Sequence, residues 1–169
     1  MRKIEMDVET LRSDLRNDEG EILAIYLDHL KKKTFGIGHL VLKTDPEYGL
    51  EVGAPVSQER CIEAFEDDIH SVFEDCDKFL PSFGDDEDRP NEFTLNVEGF
   101  YTHSEEVQLI VANMLFNMGL TKLSKFKKFQ KALNDRDYAE AAVQMKDSKW
   151  YDQVTNRAER LCVRMRACA

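Results

Sequence analysis

Hydrophobic spacing changes period twice within the first eighty residues of this chain, and that change confines it to a mixed fold. Val8, Leu11 and Leu15 recur at helical steps, and Gly20 supplies a stop. Ile22 to Asp28 then alternates, with Leu23, Ile25 and Leu27 set against Ala24 and Tyr26, which predicts a strand. Residues His29 to Lys33 lead into a second strand over Thr34–Leu42, where Gly36 and Gly38 permit a bend or bulge. A polar stretch with Pro46, Gly49, Gly53 and Pro55 closes this small lobe. From Ser57 the period is helical again. Ile62, Phe65, Ile69, Val72, Phe73 and Cys76 form one stripe, with Ser57 as N-cap, Glu59 in the first turn and Pro81 as the stop. The expectation is an α+β fold, with a small N-terminal lobe carrying a β-hairpin or sheet, a long connecting helix and a mainly helical C-terminal lobe.

The C-terminal lobe reads as helices throughout. Thr102 and Glu105 have the spacing of a capping box. Val107, Ile110, Val111, Met114, Leu115 and Met118 follow, and Leu109, Ala112 and Phe116 leave almost no polar face before Gly119. A helix apolar nearly all round belongs at the centre of its lobe. Three more helices are predicted: one carrying Leu123, Phe126, Phe129 and Leu133, one capped by Asp137 with Glu140, and a last one with Ala158, Leu161, Cys162 and Met165 inward. At 169 residues the chain suits one domain, with a lobe over about 15–56, a connecting helix over about 57–79 and an acidic insert over 82–100. The helical lobe then covers about 101–169, with a helix over 5–19 packed against it.

Charge and cysteine usage remove several classes of function. The net charge is −10, which argues against a general nucleic-acid binder. No apolar run approaches the ~18 residues of a membrane span, so stable membrane insertion is not expected. Met1–Thr10 is mixed in charge and does not read as a secretory signal, so the expected compartment is a cytoplasm. The balance is uneven: Thr121–Ala169 holds 12 basic and 6 acidic residues, whereas Ser57–Glu106 holds 16 acidic and 3 basic. Either an anionic ligand or an ordinary solvated surface accounts for that asymmetry. Cys61, Cys76, Cys162 and Cys168 form no C-x-x-C pair, and the first three sit at apolar helical positions, so buried free thiols are expected. His29, His39, His70 and His103 show no metal-ligand spacing, and there is no phosphate-binding glycine loop. Neither a metal nor any other cofactor is expected.

Two carboxylates stand out by position. Glu19 falls on the apolar face in the last turn of the first helix, where the helix dipole and partial burial both disfavour ionisation, while an arginine partner would oppose them. A carboxyl group kept protonated is what a general acid requires. Asp28 ends the first strand and Thr34 begins the second, so a hairpin sets a carboxylate and a hydroxyl across from each other with room for one water. Acid, base and positioned water are the equipment of an inverting glycosidase, whose two carboxyls stand roughly 6.5–9.5 Å apart.

The wording of these segments adds to the spacing. Leu15-Arg16-Asn17-Asp18-Glu19-Gly20, Ile25-Tyr26-Leu27-Asp28 and Thr34-Phe35-Gly36-Ile37-Gly38-His39-Leu40 together resemble the catalytic hairpin of phage-type lysozymes, glycoside hydrolase family 24. Asn113–Gly119 is similar to a second block of that family. Glu140–Val143, Ser148–Tyr151 and Asn156–Ala158 are similar to a third. The resemblance implies a lysozyme-like fold and cleavage of peptidoglycan between N-acetylmuramic acid and N-acetylglucosamine, in phage-mediated lysis of the bacterial wall. It assigns Glu19 as proton donor, Asp28 as base or electrostatic stabiliser and Thr34 as the water-positioning hydroxyl. Arg157 matches the arginine paired with the catalytic glutamate, and His39 with Asp68 matches a pair that contributes to stability. Leu40, Phe116, Phe129 and Gln144 fall at sugar-cleft positions, although Phe116 and Phe129 read equally well as core, and Trp150 reads as core.

The chain also departs from the family pattern. The segment 82–100 is longer and more acidic, 41–56 is shorter, and Lys31-Lys32-Lys33 replaces a turn of glycine and aromatic residues. Those lysines and the Lys122–Lys131 cluster could present a locally positive cleft in an acidic protein. Peptidoglycan is the expected partner and a monomer the expected state. Such an enzyme waits in a host cytoplasm before lysis or travels as a virion tail component. Two other readings stand beside hydrolysis: a lytic transglycosylase, and an inactive lysozyme-like binding or structural module of a phage tail.

Overall fold

The computed structural model describes residues 4–81 and 99–169. Most of the predicted acidic insert therefore lies outside the described residues. In chain order the elements are α1 (Val8–Glu19), β1 (Ile22–Leu27), β2 (Lys33–Gly36), β3 (His39–Leu40), α2 (Gln58–Phe79), a 3-10 turn (Phe100–Thr102), α3 (Glu105–Met118), α4 (Leu120–Leu123), α5 (Lys127–Asn134), α6 (Tyr138–Lys146), α7 (Lys149–Gln153) and α8 (Thr155–Ala167). This is an α+β fold with one small antiparallel sheet, as the change of period predicts. Among the described residues no helix is long and apolar enough to cross a membrane. The chain divides into two compact units, one spanning Glu9–Ser71 and the other taking the described residues up to Val8 together with Val72–Ala169.

In the first unit the sheet order is β1-β2-β3. Tyr26 pairs with Thr34 and Leu27 with Lys33, but the register shifts between Ile22 and Tyr26. Over that stretch β1 turns its hydrogen bonds to the incoming loop: Ile25 N–H donates to Ala54 O at 2.9 Å, Gly53 N–H to Ile25 O at 2.8 Å and Val56 N–H to Leu23 O at 3.0 Å. The irregularity changes which side chains are covered. Ile25 is buried with Phe35, Val56, Cys61 and Ala64, while Leu23 and Leu27 remain exposed. A strict alternation would have put all three on one face. The predicted strand Thr34–Leu42 is two strands, because Gly36 and Gly38 both take positive φ (+64° and +65°) and reverse the chain. That conformation costs glycine little and other residues much more. Ser57 caps α2 as expected, its Oγ accepting from Arg60 N–H at 3.2 Å.

The second unit is built around α3, in which Val107 to Leu115 are all buried. Its cap is Ser104, which accepts from Val107 N–H, and not the predicted Thr102. Thr102 lies in the 3-10 turn, where its hydroxyl donates to Gly99 O at 2.7 Å. Gln108 is fully buried and fully engaged. Its Nε2 donates to Ile4 O at 2.7 Å and His103 O at 2.8 Å, and its Oε1 accepts from Met6 N–H at 3.2 Å. The single helix predicted through Leu123–Leu133 is broken into α4 and α5. The short α7, which has no sequence counterpart above, places Trp150 inward with its Nε1–H donating to Asn117 Oδ1 at 2.7 Å. α6 packs on α5 and α8, and α3 and α7 also pack on α8. The four cysteines are free, and Cys61, Cys76 and Cys162 are buried.

Candidate active site

Three of the sequence-selected residues gather on the sheet of the first unit. Glu19 is the last residue of α1, and Gly20 (φ +68°) turns the chain away while donating its N–H to Arg16 O at 2.9 Å. The Glu19 carboxylate rests against the turn between β2 and β3. A Cβ built on Gly38 would lie 2.7 Å from both Cδ and Oε2 of Glu19. Only a residue without a side chain leaves room for that approach.

Asp28 follows β1 and organises the tight connection to β2. Its Oδ1 accepts from the N–H groups of Leu30 and Lys32, both at 2.8 Å. Its own N–H donates to Lys32 O at 2.9 Å, and its carbonyl accepts from Lys31 N–H at 2.9 Å. A short acidic side chain bonded to the backbone ahead of it is a common way to hold such a turn. Thr34 is buried at 4% exposure, and its Oγ1–H donates to Lys32 O at 3.0 Å. The peptide of Lys32 is thus shared by Asp28 and Thr34. Because the hydroxyl proton is spent on that carbonyl, the lone pairs of Oγ1 are what the group can offer to an incoming donor.

Tyr26 lies across the strand pair from Thr34 and reports on both carboxylates. Burial, then the charges of Glu19 and Asp28, push its phenol up to about 12. One half-buried neutral side chain therefore sits within electrostatic reach of both acids. Tyr26 was not among the sequence-selected residues, although its place two before Asp28 on the same strand face was available as a signal. Leu40 pairs with Thr34 in β3 and is 41% exposed, so it presents apolar surface on this sheet.

His39 and Asp68 do meet, and in a larger network than the sequence indicates. His39, 4% exposed, places Nδ1 2.7 Å from Asp68 Oδ2 and Nε2 2.8 Å from Asp45 Oδ2. Burial alone would lower the imidazole pKa, but the hydrogen bonds and charges of Asp68 and Asp45 outweigh it, so the value is raised. Burial would raise Asp45. The Leu42 N–H, His39 and Arg60 together hold it below the usual carboxylate range. Arg60 also donates Nε to Glu47 Oε1 at 2.8 Å, and Glu47 is buried. Asp45 and Glu47 escaped the sequence reading because the 41–56 loop has no hydrophobic period to indicate what it covers, and their partner Arg60 lies apart from them in the first turn of α2.

The other selected residues belong to the helical unit. Phe116 is half-buried in the last turn of α3. Phe129 is 1% exposed and stacks on Phe79, with ring centroids 6.2 Å apart at 24°, so its ring is core. Gln144 donates Nε2 to Glu140 Oε1 at 2.7 Å, one turn back on α6. Arg157 is buried at 7% exposure, with Nε donating to Asn113 Oδ1 at 2.9 Å. Among the described residues no group of three or more His, Cys, Asp or Glu is arranged to hold a metal ion.

Comparison with known proteins places this geometry in context. The chain is 33% identical over 165 residues to a probable T4-type lysozyme 2 of Dictyostelium discoideum, covering 91% of this chain and 92% of that protein. It is 30% identical over 166 residues to a probable T4-type lysozyme 1 of the same organism, covering 91% and 92%. It is also 28% identical over 162 residues to the pre-baseplate central spike protein Gp5 of Enterobacteria phage T4, covering 87% of this chain but 26% of the spike protein. No family model matches the chain.

Proposed function

Because the chain belongs to the T4-type lysozyme family, we propose that it hydrolyses the β-1,4 bond between N-acetylmuramic acid and N-acetylglucosamine in bacterial peptidoglycan. The coarse activity, a lysozyme-like peptidoglycan hydrolase, is what the named relatives support. The finer assignment rests on the gathering of Glu19, Asp28 and Thr34 around the Tyr26–Thr34 strand pair.

In this reading Glu19 protonates the departing glycosidic oxygen. A water held between the outer oxygen of Asp28 and the lone pairs of Thr34 Oγ1 attacks the anomeric carbon from the opposite face. Asp28 accepts the proton that the water gives up, and the anomeric configuration inverts. The turn hydrogen bonds fix Oδ1 of Asp28 and leave its second oxygen to the water. Thr34 has only to accept, since its own proton is committed to Lys32 O. Bond cleavage by this route draws on side chains alone.

The decisive experiment compares the native chain with Glu19→Gln on purified cell walls. Loss of a general acid should slow wall clearing by at least about 100-fold. Equal rates in the two proteins would remove Glu19 from the mechanism. Mass spectrometry of the released fragments reads the reaction type directly: reducing ends mean hydrolysis, and anhydro ends mean transglycosylation. The match to a quarter of a phage spike protein supports a second reading, a wall-contacting module of a larger particle. Binding to walls with no release of fragments would favour it.

A further inference from the structure

The connection that carries Asp28 also carries Lys31, Lys32 and Lys33, and it is built at some conformational expense. Lys31 has φ +61°, one of two non-glycine residues in the left-handed region among the described residues. Glycine would take that conformation more easily, and a bulky residue kept there usually answers to something other than local stability. The backbone of the turn is held from both sides by Asp28, so the lysines project from a rigid base.

Their charges are not neutralised within the described residues. Lys33 donates Nζ to Leu50 O at 2.6 Å, but the side chains of Lys31 and Lys32 are exposed and make no ion pair or hydrogen bond there. In a protein of net charge −10, Lys31, Lys32 and Lys33 place three consecutive cations directly beside Asp28. An acidic protein repels an acidic polymer at long range, so capture of one depends on a local patch of opposite sign.

From this juxtaposition we infer that Lys31 and Lys32 form an oxyanion subsite beside the catalytic hairpin, which engages carboxylate or phosphate groups carried on the wall glycan. The inference rests on the proposed hydrolysis for the identity of the polymer, and it makes the turn a specificity determinant. Glycan bearing acidic groups is held more tightly than neutral glycan of the same linkage. The lysines stay outside the bond-breaking step and act on binding.

The test separates binding from catalysis. In a Glu19→Gln background, sedimentation with purified walls measures affinity whether or not the chain is a hydrolase. Lys31→Glu/Lys32→Glu should weaken binding roughly 10-fold at low salt, and the difference should shrink as the Debye length falls below about 8 Å. Walls stripped of phosphate polymers, compared with untreated walls, show whether carboxylate or phosphate is the partner. In the active protein the same double substitution should raise the apparent KM on acidic walls by more than it raises the KM for neutral β-1,4-linked N-acetylglucosamine oligomers. Lys31→Gly gives a readout that a structural role would not: it should raise the melting temperature by relieving the backbone while weakening wall binding. Unchanged wall affinity in the double variant overturns the inference, and so does an equal loss on neutral oligomers. An active-site failure with intact lysine-dependent binding would instead count against the hydrolase reading alone.

Discussion

His39 offers the sharpest test of the energetics, because two carboxylates hold it from opposite sides at 2.7 and 2.8 Å in a nearly closed environment. Asp68→Asn keeps the shape of one partner and removes its charge. With His39 protonated, that change leaves the charged donor facing a neutral amide oxygen, a loss of about 1–1.5 kcal/mol, the difference between hydrogen bonds to charged and to neutral partners. For a domain of this size each kcal/mol moves the melting temperature by about 2–4 °C, so a fall of roughly 2–6 °C is expected. The sign of the pH dependence follows from the direction of each shift. His39 is raised, so its contribution is complete below the unfolded value near about 6.5 and is lost as pH rises through the folded value. Asp45 is lowered, so its contribution is present above about 3.9 and is lost as acid carries it through its folded value. The network is therefore strongest between about pH 4 and 6.5. Thermal or urea denaturation of the native chain, Asp68→Asn and His39→Gln at pH 5.5 and pH 9 measures the difference. The cost of Asp68→Asn should be smaller at the higher pH, because the charge of the imidazole is lost as pH rises through its folded value. An equal or larger cost at pH 9 would show that His39 keeps one protonation state across this range and that this reasoning is wrong.

Three other outcomes follow from the same geometry. Gly38→Ala forces a methyl group into the space of the Glu19 carboxylate and should cut wall hydrolysis by at least about 100-fold. Gly49→Ala, also at positive φ but with nothing within 4 Å, should leave the rate intact; similar losses in both would mean that backbone strain, not displacement of Glu19, is responsible. Phe129→Ala should cost about 3–5 kcal/mol in urea denaturation and leave the KM for walls unchanged, since the ring packs on Phe79. A raised KM with little loss of stability would return Phe129 to the cleft. In native protein a disulfide reagent should modify Cys168 first, because Cys76 and Cys162 are buried and burial raises both thiols, Cys162 to about 11. Faster reaction of either buried thiol would show that the helical unit opens readily.

Much of the architecture was legible because it depends on local spacing. The stripe from Phe65 to Cys76, the closely apolar run from Val107 to Leu115 and the Asp137 cap all stand where side-chain periodicity put them, whereas Ile62 at the head of the expected stripe is exposed and Cys61 is buried in its place. The misreadings occur where long-range pairing decides the outcome. β1 leaves β2 over part of its length to bond with Ala54 and Gly53, a partner choice that no local pattern encodes, and of the alternating Leu23, Ile25 and Leu27 only Ile25 is buried. Thr102 had the spacing of a cap, yet Ser104 took the role once the 3-10 turn preceded α3.

The sequence alone determined the chemistry on offer: an acid ending a helix, an aspartate and a threonine bracketing a short turn, and a histidine after a glycine pair. Those follow from covalent order, since residues a few positions apart across a tight turn have little freedom to separate. Tertiary structure decided which groups those side chains meet. It set Glu19 against Gly38, gave His39 a second carboxylate in Asp45, joined Arg60 to Glu47 and closed Phe129 away beneath Phe79. Apart from His39 and Asp45, which are six residues apart, those contacts join segments further separated in the chain, where distance and burial, not order, set the energy.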